Sequence, residues 1–501
     1  MFYTNVTPVG NKIYARYYDD QNYKRTYFGD FNPDLFLLSK HDMGYRSVHN
    51  ETLQPFNFKS ITDAKKFVKD HNDISNVSVF GNQNYYIQYI SENYRGNIDW
   101  EFDKIICANV DIEVKKVSDD GRVGYSDPYD AYNEITSIQI EQANKFYILS
   151  TKPYTEKSSD VTYLQCDDEK DLLNEFLNHW QELRPDIITG WNIEQFDVPY
   201  LVNRITRVLG EKASYRLSPA YSHIKKKEFC VDLNAYKDVR EYKIAGLSVL
   251  DYMKIYKKFT FKERDSYALN NIAYVELGEK KVDYSEVQNL DELFDQDFEK
   301  FIDYGIKDVY LVKRLDNKLQ LLRLVYTLAY KAKIPHQDVF SQVRMWDSLV
   351  YNKLKENDVV IPAKEHYSKS EKFRGAKVFD PKVGLHEWVI SFDLDGLYPH
   401  LIMMYNISPE KMLTDNETPK EMEYCSIDDM IEGQFKQTDI LEDNNVTMTA
   451  NQEFYRKDSQ GFIPQMMQDL YNQRKVIKKE QLASEQVVVD IKNILKERVN
   501  A

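Results

Sequence analysis

The first hundred or so residues alternate short apolar runs with turn-forming polar residues, which predicts short strands, with one helix after a Thr62-Asp63 start signal through Ala64, Phe67 and Val68. From Ile105 the texture changes. Apolar runs of strand length alternate with amphipathic stretches, the pattern of an α/β domain, and polar loops are predicted at 117–128 and 152–168. A long helical stretch from about Asp297 to Lys333 carries Phe298, Phe301, Ile302, Ile306, Val309 and Val312 at spacings of three and four, which makes one buried stripe. Ile334-Pro335 ends it. Residues 355–373 are polar, contain Pro362 and read as a connector. A strand is predicted at Trp388–Leu394, loops and short surface elements at 408–461, and polar helix from Pro464 to Ala501.

Composition adds scale. At roughly 150 residues per domain, 501 residues predict about three domains. Apolar residues at 42%, charged residues at 29%, and only 17 Gly and 15 Pro describe a folded protein rather than a disordered or fibrous one. The charge balance, 66 basic against 80 acidic residues, argues against a protein that coats nucleic acid or anionic membrane by bulk electrostatics. A polyanionic partner has to be held by local patches or by metal ions. No signal-peptide pattern opens the sequence and no apolar stretch is of membrane-spanning length, so a soluble protein with no membrane partner is expected. Cys107, Cys166, Cys230 and Cys425 form neither a disulfide framework nor a C-x-x-C metal pair, which fits a reducing cytoplasm.

Three groups of acids carry candidate chemistry. Ile105 to Val114 reads as a buried strand, and its period of two sets Asp111 and Glu113 on one face against Val110, Ile112 and Val114 on the other. Two acids in an apolar strand need a metal or hydrogen-bond donors to offset desolvation. The same D-x-E spacing recurs at Asp167/Glu169 and Asp297/Glu299, where solvated carboxylates suffice. A strand at Ile187–Thr189 runs through Gly190 into a helix with Pro199 in its first turn, so Asp197 falls at or next to the N-cap, where capping alone also accounts for it. Tyr304 and Asp308 share a helix face at i,i+4, as a plain surface hydrogen bond also would. Converging, the four acids could hold two divalent cations, the arrangement that serves phosphodiester hydrolysis.

Asp111-Ile112-Glu113, Asn192-x-x-x-Phe196-Asp197-x-Pro199-Tyr200 and Tyr304-x-x-x-Asp308 resemble the three motifs of the proofreading 3′–5′ exonuclease of family B DNA polymerases. Trp191 to Asp197 and Gly246 to Tyr252 resemble the T-even-type bacteriophage branch of that family most closely. The resemblance implies an α/β multidomain fold: an RNase H-like exonuclease domain with a mixed sheet, an N-terminal α+β domain, and partial palm and fingers. The implied boundaries are 1–104 with 334–366 returning to it, 105–333 for the exonuclease, 367–460 for palm and 461–501 for fingers. It also implies that Asp111, Glu113, Asp197 and Asp308 bind two Mg²⁺ or Mn²⁺ ions and that Tyr304 orients the attacking water. Cys230–Tyr242 then looks like the hairpin that parts primer from template, or an ordinary surface hairpin, with Lys225-Lys226-Lys227 before it available to phosphates or simply solvated.

Val389 to Leu394 followed by Asp395-Gly396-Leu397-Tyr398-Pro399 resembles polymerase motif A, which makes Asp393 a catalytic metal ligand and Leu394 and Tyr398 nucleotide contacts, Tyr398 gating against a ribose 2′-OH. Gly396 and His400 depart from that motif, standing where serine is common. Phe373-Arg374-Gly375-Ala376 resembles the segment joining exonuclease to polymerase. Arg474 and Lys478, four apart on a helix, resemble the triphosphate clamp of the fingers; an exposed basic face is the plainer reading. The family's Y-G-D-T-D-S turn and a later fingers lysine are missing from these 501 residues. The expectation is therefore the N-terminal subunit or fragment of a phage replicative polymerase, acting in the host cytoplasm on primer-template and single-stranded DNA. It would use dNTPs with a C-terminal chain that also meets the sliding clamp. A free-standing 3′–5′ exonuclease with a vestigial polymerase segment is the alternative.

Overall fold

The computed structural model describes residues 1–501 apart from 73, 75–76, 117–123, 125, 233–234, 363–377 and 501, and apart from the side chains of 72, 227–240 and 496–500. The predicted loop at 117–128 therefore lies partly outside the described residues, and Phe373 to Ala376 lies wholly outside them. The chain divides into two compact units, one of residues 1–37 and 55–356, the other of 38–54 and 357–501.

In the first unit, β1 (Phe2–Val9), β2 (Lys12–Tyr18) and β3 (Lys24–Gly29) form an antiparallel sheet. Helix α1 (Ile61–Asn72) is capped by Ser60, whose Oγ accepts from Asp63 N at 3.2 Å. Ser60, two residues before the expected Thr62, starts it because its hydroxyl faces the free N–H groups of the first turn. The main sheet has six strands: β4 (Cys107–Val114), β5 (Ile135–Gln142), β6 (Lys145–Ser150), β7 (Val161–Gln165), β8 (Ile187–Gly190) and, after the hairpin β9 (Lys225–Asp232) and β10 (Ala235–Lys243), β11 (Ser248–Asp251). Their spatial order is β7-β6-β5-β4-β8-β11. The ladders β4·β5 and β5·β6 are antiparallel and β7·β6, β8·β4 and β8·β11 parallel, so the sheet is mixed.

Helices cover both faces, as a sheet with parallel ladders requires. On one face α2 (Glu169–Leu183) and α3 (Asp197–Leu209) bury Leu172, Phe176, Trp180, Tyr200 and Ile205 against Val110, Ile112, Ile138 and Ile140. A short α4 (Tyr252–Phe259) follows β11. On the other face α5 (Phe298–Leu319) packs Phe301, Ile302 and Val309 against Phe146, Ile148 and Val161. Gln320 at φ 53° ends α5, and α6 (Leu321–Ala332) starts at once, so the single helix expected over 297–333 is two. Within the expected loop 152–168 lies β7, whose alternating Val-Thr-Tyr-Leu-Gln carries a strand pattern.

Asp186, fully buried just before β8, ties the N-terminal sheet to the main one. It takes Thr4 Oγ1 at 2.6 Å, Lys24 Nζ at 2.7 Å, Arg16 at 3.2 Å and Ile106 N at 3.0 Å. Tyr3 closes the unit over a large sequence distance, its hydroxyl donating to Ile334 O at 2.7 Å while Tyr330 donates back to Tyr3 O at 2.5 Å.

In the second unit, a strand at Tyr45–Ser47 pairs parallel with Val359–Val360. Helix α7 (Leu397–Tyr405), the hairpin β12 (Val446–Met448) and β13 (Phe454–Arg456), and the long helix α8 (Phe462–Asn500) follow, with α7 against α8. The strand expected at Trp388–Leu394 is not formed. These residues run irregular and exposed, Trp388 at 96% and Phe392 at 90%, because no described strand offers them a ladder partner.

Candidate metal centre

The site is built from β4 upward. With Val110 and Ile112 committed to the α2/α3 side, the pleat turns Asp111 and Glu113 toward α5. Helix α5 can come close because its position 305 is glycine: a Cβ there would lie 2.3 Å from Gln139 Nε2 on β5, the residue paired with Asp111. Asn109 on β4 secures the approach by donating to Val309 O at 2.7 Å. Asp308, one turn beyond Tyr304 on α5, is thereby carried over the acidic face. Carboxylate oxygens of Asp111, Glu113 and Asp308 lie within 4.8 Å of one another.

Asp197 arrives from the other side. Pairing of β8 with β4 stops at Thr189↔Asn109, and Asp197 at the first position of α3 takes over where the ladder ends, its Oδ1 accepting from Ile112 N at 3.1 Å. Its carboxylate thus reaches across to β4 as well as taking its own backbone N–H. Gly190 permits the turn, since a Cβ would sit 2.4 Å from Val110 O. Asp251 at the end of β11 braces the loop before Asp197, accepting from Asn192 N at 3.2 Å and Glu194 N at 3.1 Å, with Asn192 held at φ 67°.

Asp111 and Glu113 are half-buried, Asp197 and Asp308 nearly fully. Burial pushes Glu113 up to about 8, helped by the charge of Asp308, and Asp197 up to about 7 against the pull of the Ile112 N–H. Asp111 is raised well above the carboxylate range by burial and then by Asp197, Asp308 and Glu113. Two lysines answer these acids among the described residues: Lys116 acts on Glu113 through its charge, and Lys281 Nζ donates to Asp308 Oδ2 at 2.5 Å and to Tyr304 OH at 3.1 Å. Burial would lower the Lys281 ammonium, but Asp308, Tyr304 and Asp111 override it and hold it charged. Asp308 Oδ1 remains buried with no hydrogen-bond partner among the described residues. A cluster of four carboxylates with more negative charge than the nearby lysines neutralise, and with an unsatisfied buried lone pair among the described residues, fits an oxygen-ligated divalent cation.

Lys281 was not singled out by the motifs. Replacing it with Met is expected to destabilise the metal-free protein by roughly 3–5 kcal/mol, since it leaves buried carboxylates without their counter-charge. The check is chemical denaturation in EDTA; an unchanged midpoint would contradict the assignment.

The polymerase-like residues stay in the second unit. Asp393 and Leu394 are exposed in irregular chain and Tyr398 is 76% exposed on α7, so these three form no closed site. Arg474 reaches Asp395, not Asp393, at 3.5 Å, and Lys478 is exposed one turn further along α8. Gly396 has φ 64° as the residue before α7, a conformation serine adopts poorly, and His400 packs edge-on against Tyr471 at 4.7 Å.

A mixed sheet covered by helices, with acids converging from its central strand and two flanking helices, defines an RNase H-like exonuclease fold. The model for the DNA polymerase family B exonuclease domain matches residues 42–272 and that for DNA polymerase family B matches 340–498, so the chain belongs to the family B DNA polymerases. It is similar to the DNA-directed DNA polymerase of Enterobacteria phage T4, 32% identical over 99% of this chain and 55% of that protein. It is likewise 32% identical to the DNA-directed DNA polymerase of Escherichia phage RB69, over 97% of this chain and 54% of that protein. The DNA polymerase delta catalytic subunit of Dictyostelium discoideum is 27% identical over 62% of this chain and 27% of its own length. The chain thus spans about half the length of the phage relatives it matches. Among the described residues no helix is long and apolar enough to cross a membrane.

Proposed function

We propose that this chain carries the proofreading 3′–5′ exonuclease of a phage-type replicative DNA polymerase together with the first half of its polymerase site. The observation that supports the nuclease half is the meeting of Asp111, Glu113 and Asp308 within 4.8 Å beside Asp197. Asp111, Glu113, Asp197 and Asp308 would hold Mg²⁺ or Mn²⁺, two ions per site, which when bound supply activation of water and neutralisation of developing charge. Lys281 fixes the Asp308 carboxylate and the Tyr304 phenol relative to each other, and that phenol orients the attacking water at the 3′-terminal phosphodiester. The bound strand is single-stranded DNA, or a primer end released from its template at the β9–β10 hairpin.

In the polymerase half, Asp393 serves as a metal ligand, Leu394 and Tyr398 meet the dNTP, and Arg474 and Lys478 clamp its triphosphate. Completion requires a second acid and a further lysine. Val389, Ile390 and Phe392, exposed at 74%, 76% and 90%, support a surface that further polymerase residues cover. A C-terminal chain would supply that cover and the sliding-clamp contact, with primer-template DNA as the joint substrate in the cytoplasm of the bacterial host. Mixing this chain with a polypeptide bearing the Y-G-D-T-D-S segment is expected to restore dNTP incorporation. An assembled pair that stays inactive while the chain alone digests single strands is the result a free-standing exonuclease gives, and it would overturn the split.

A further inference from the structure

Two contacts fix how closely α5 rides over the acidic strand, and each lies one residue beyond a member of the site. The main chain of Val309, next to Asp308, accepts from Asn109 Nδ2 at 2.7 Å. Gly305, next to Tyr304, rests on the Gln139 side chain, where a Cβ would lie 2.3 Å from Nε2 and 2.7 Å from Cδ. Asn109 thus draws the helix down, and Gln139 stops it one turn earlier. Gln139 is opposite Asp111 in the β4·β5 ladder, and opposed residues point to the same face, so the stop stands beside the acids it spaces.

Both halves of the Gly305–Gln139 contact run against stability. Glycine inside a helix is less favourable than alanine, and Gly305 lies within α5 without a positive φ, so its backbone conformation does not call for glycine. Space does. Gln139 is fully buried, its Nε2 donates to Ser137 Oγ at 2.7 Å, and its Oε1 has no donor among the described residues. A buried amide with an unpaired oxygen is less favourable there than an apolar side chain of the same length. Ser137 is itself fully buried, so its hydrogen bond keeps the amide from swinging clear of the helix. Two unfavourable choices at one contact, directly beside the acids, mark a spacing held for function and not for stability.

We propose that Gln139 is a positioning residue for the metal centre: with Asn109 it sets the height of α5, and so the separation of Asp308 from Asp111 and Glu113 that a divalent cation needs. The proposal rests on the metal-binding reading of those acids. Mn²⁺ affinity is therefore the readout, measured by isothermal titration on the full chain without DNA, with melting in EDTA as the folding control. Gly305→Ala should weaken Mn²⁺ binding by at least about tenfold, although alanine is the better helix former. Adding Gln139→Ala to it should recover about threefold or more, because the side chain that the new methyl meets is gone. Gln139→Ala alone should lose about fivefold, while Gln139→Met, which keeps the length without the amide, stays within about threefold of the parent. Gly305→Ala that binds Mn²⁺ as the parent does, or a double variant no tighter than Gly305→Ala, overturns the proposal. Should Gly305→Ala fail to fold, equal affinities of Gln139→Ala and Gln139→Met overturn it. A parent chain that takes up no Mn²⁺ removes the metal centre itself, and this proposal with it, which sets that failure apart from the others.

Discussion

Asp308→Ala is expected to lower 3′–5′ hydrolysis of a 5′-labelled single strand by at least about a thousand-fold, the loss that follows when several kcal/mol of charge stabilisation are removed. The reason is geometric. Asp308 is the one carboxylate that α5 contributes to the cluster, and no neighbouring acid on that helix can reach in its place. The fold should survive, because the ammonium left behind at Lys281 still faces Asp111. Initial rates at saturating Mn²⁺, with circular dichroism as the folding control, make the measurement. Activity within tenfold of the parent would mean that the acids meet without forming the reacting centre.

The second large effect is on stability against pH. Glu113 is raised to about 8 and Asp197 to about 7, both from ordinary values near 4. Each raised acid holds its proton in the folded protein at a pH where the unfolded chain has released it. The metal-free fold is therefore favoured at low pH, and that contribution drains away as pH rises from about 4 to about 8. Cation binding has the opposite slope, since ligation requires ionised carboxylates and expels their protons. The rise in melting temperature on adding Mn²⁺ should thus be larger at pH 8.5 than at pH 6, by on the order of a few degrees. Asp111→Asn/Glu113→Gln should raise the metal-free melting temperature at pH 8.5 and abolish the Mn²⁺ increment. An increment equal at the two pH values would remove the case for these acids as ligands.

Much of this centre is legible in the sequence because its parts obey local periods. Asp111 and Glu113 alternate with core residues on one strand, and Tyr304 and Asp308 are one turn apart on one helix, so spacing alone puts each pair on a common face. Lys281 is different. It lies in a stretch without regular structure, and only the path of the chain between helices brings it to Asp308, so no local pattern announces it. The break at Gln320 is hidden for a related reason: no Gly or Pro marks it, and Asp316 caps the next helix by accepting from Leu322 N at 3.0 Å. Trp388–Leu394 shows the converse. Its apolar residues favour a strand, but a strand exists only with a neighbour to pair with, which a local pattern cannot supply.

The clasp between Tyr3 and Ile334 also sets a clock on synthesis. The hydroxyl of the third residue waits for a carbonyl 331 positions later, which at about 5–20 residues per second is a delay of roughly 15–70 seconds. The β1–β2 hairpin can pair as it emerges, and the central sheet can assemble once β11 is made. The apolar side of Tyr3 and Phe2 is covered by Tyr330 only near the end of that interval. On the ribosome, the amino-terminal strand is thus the part of this unit exposed longest to proteases and chaperones.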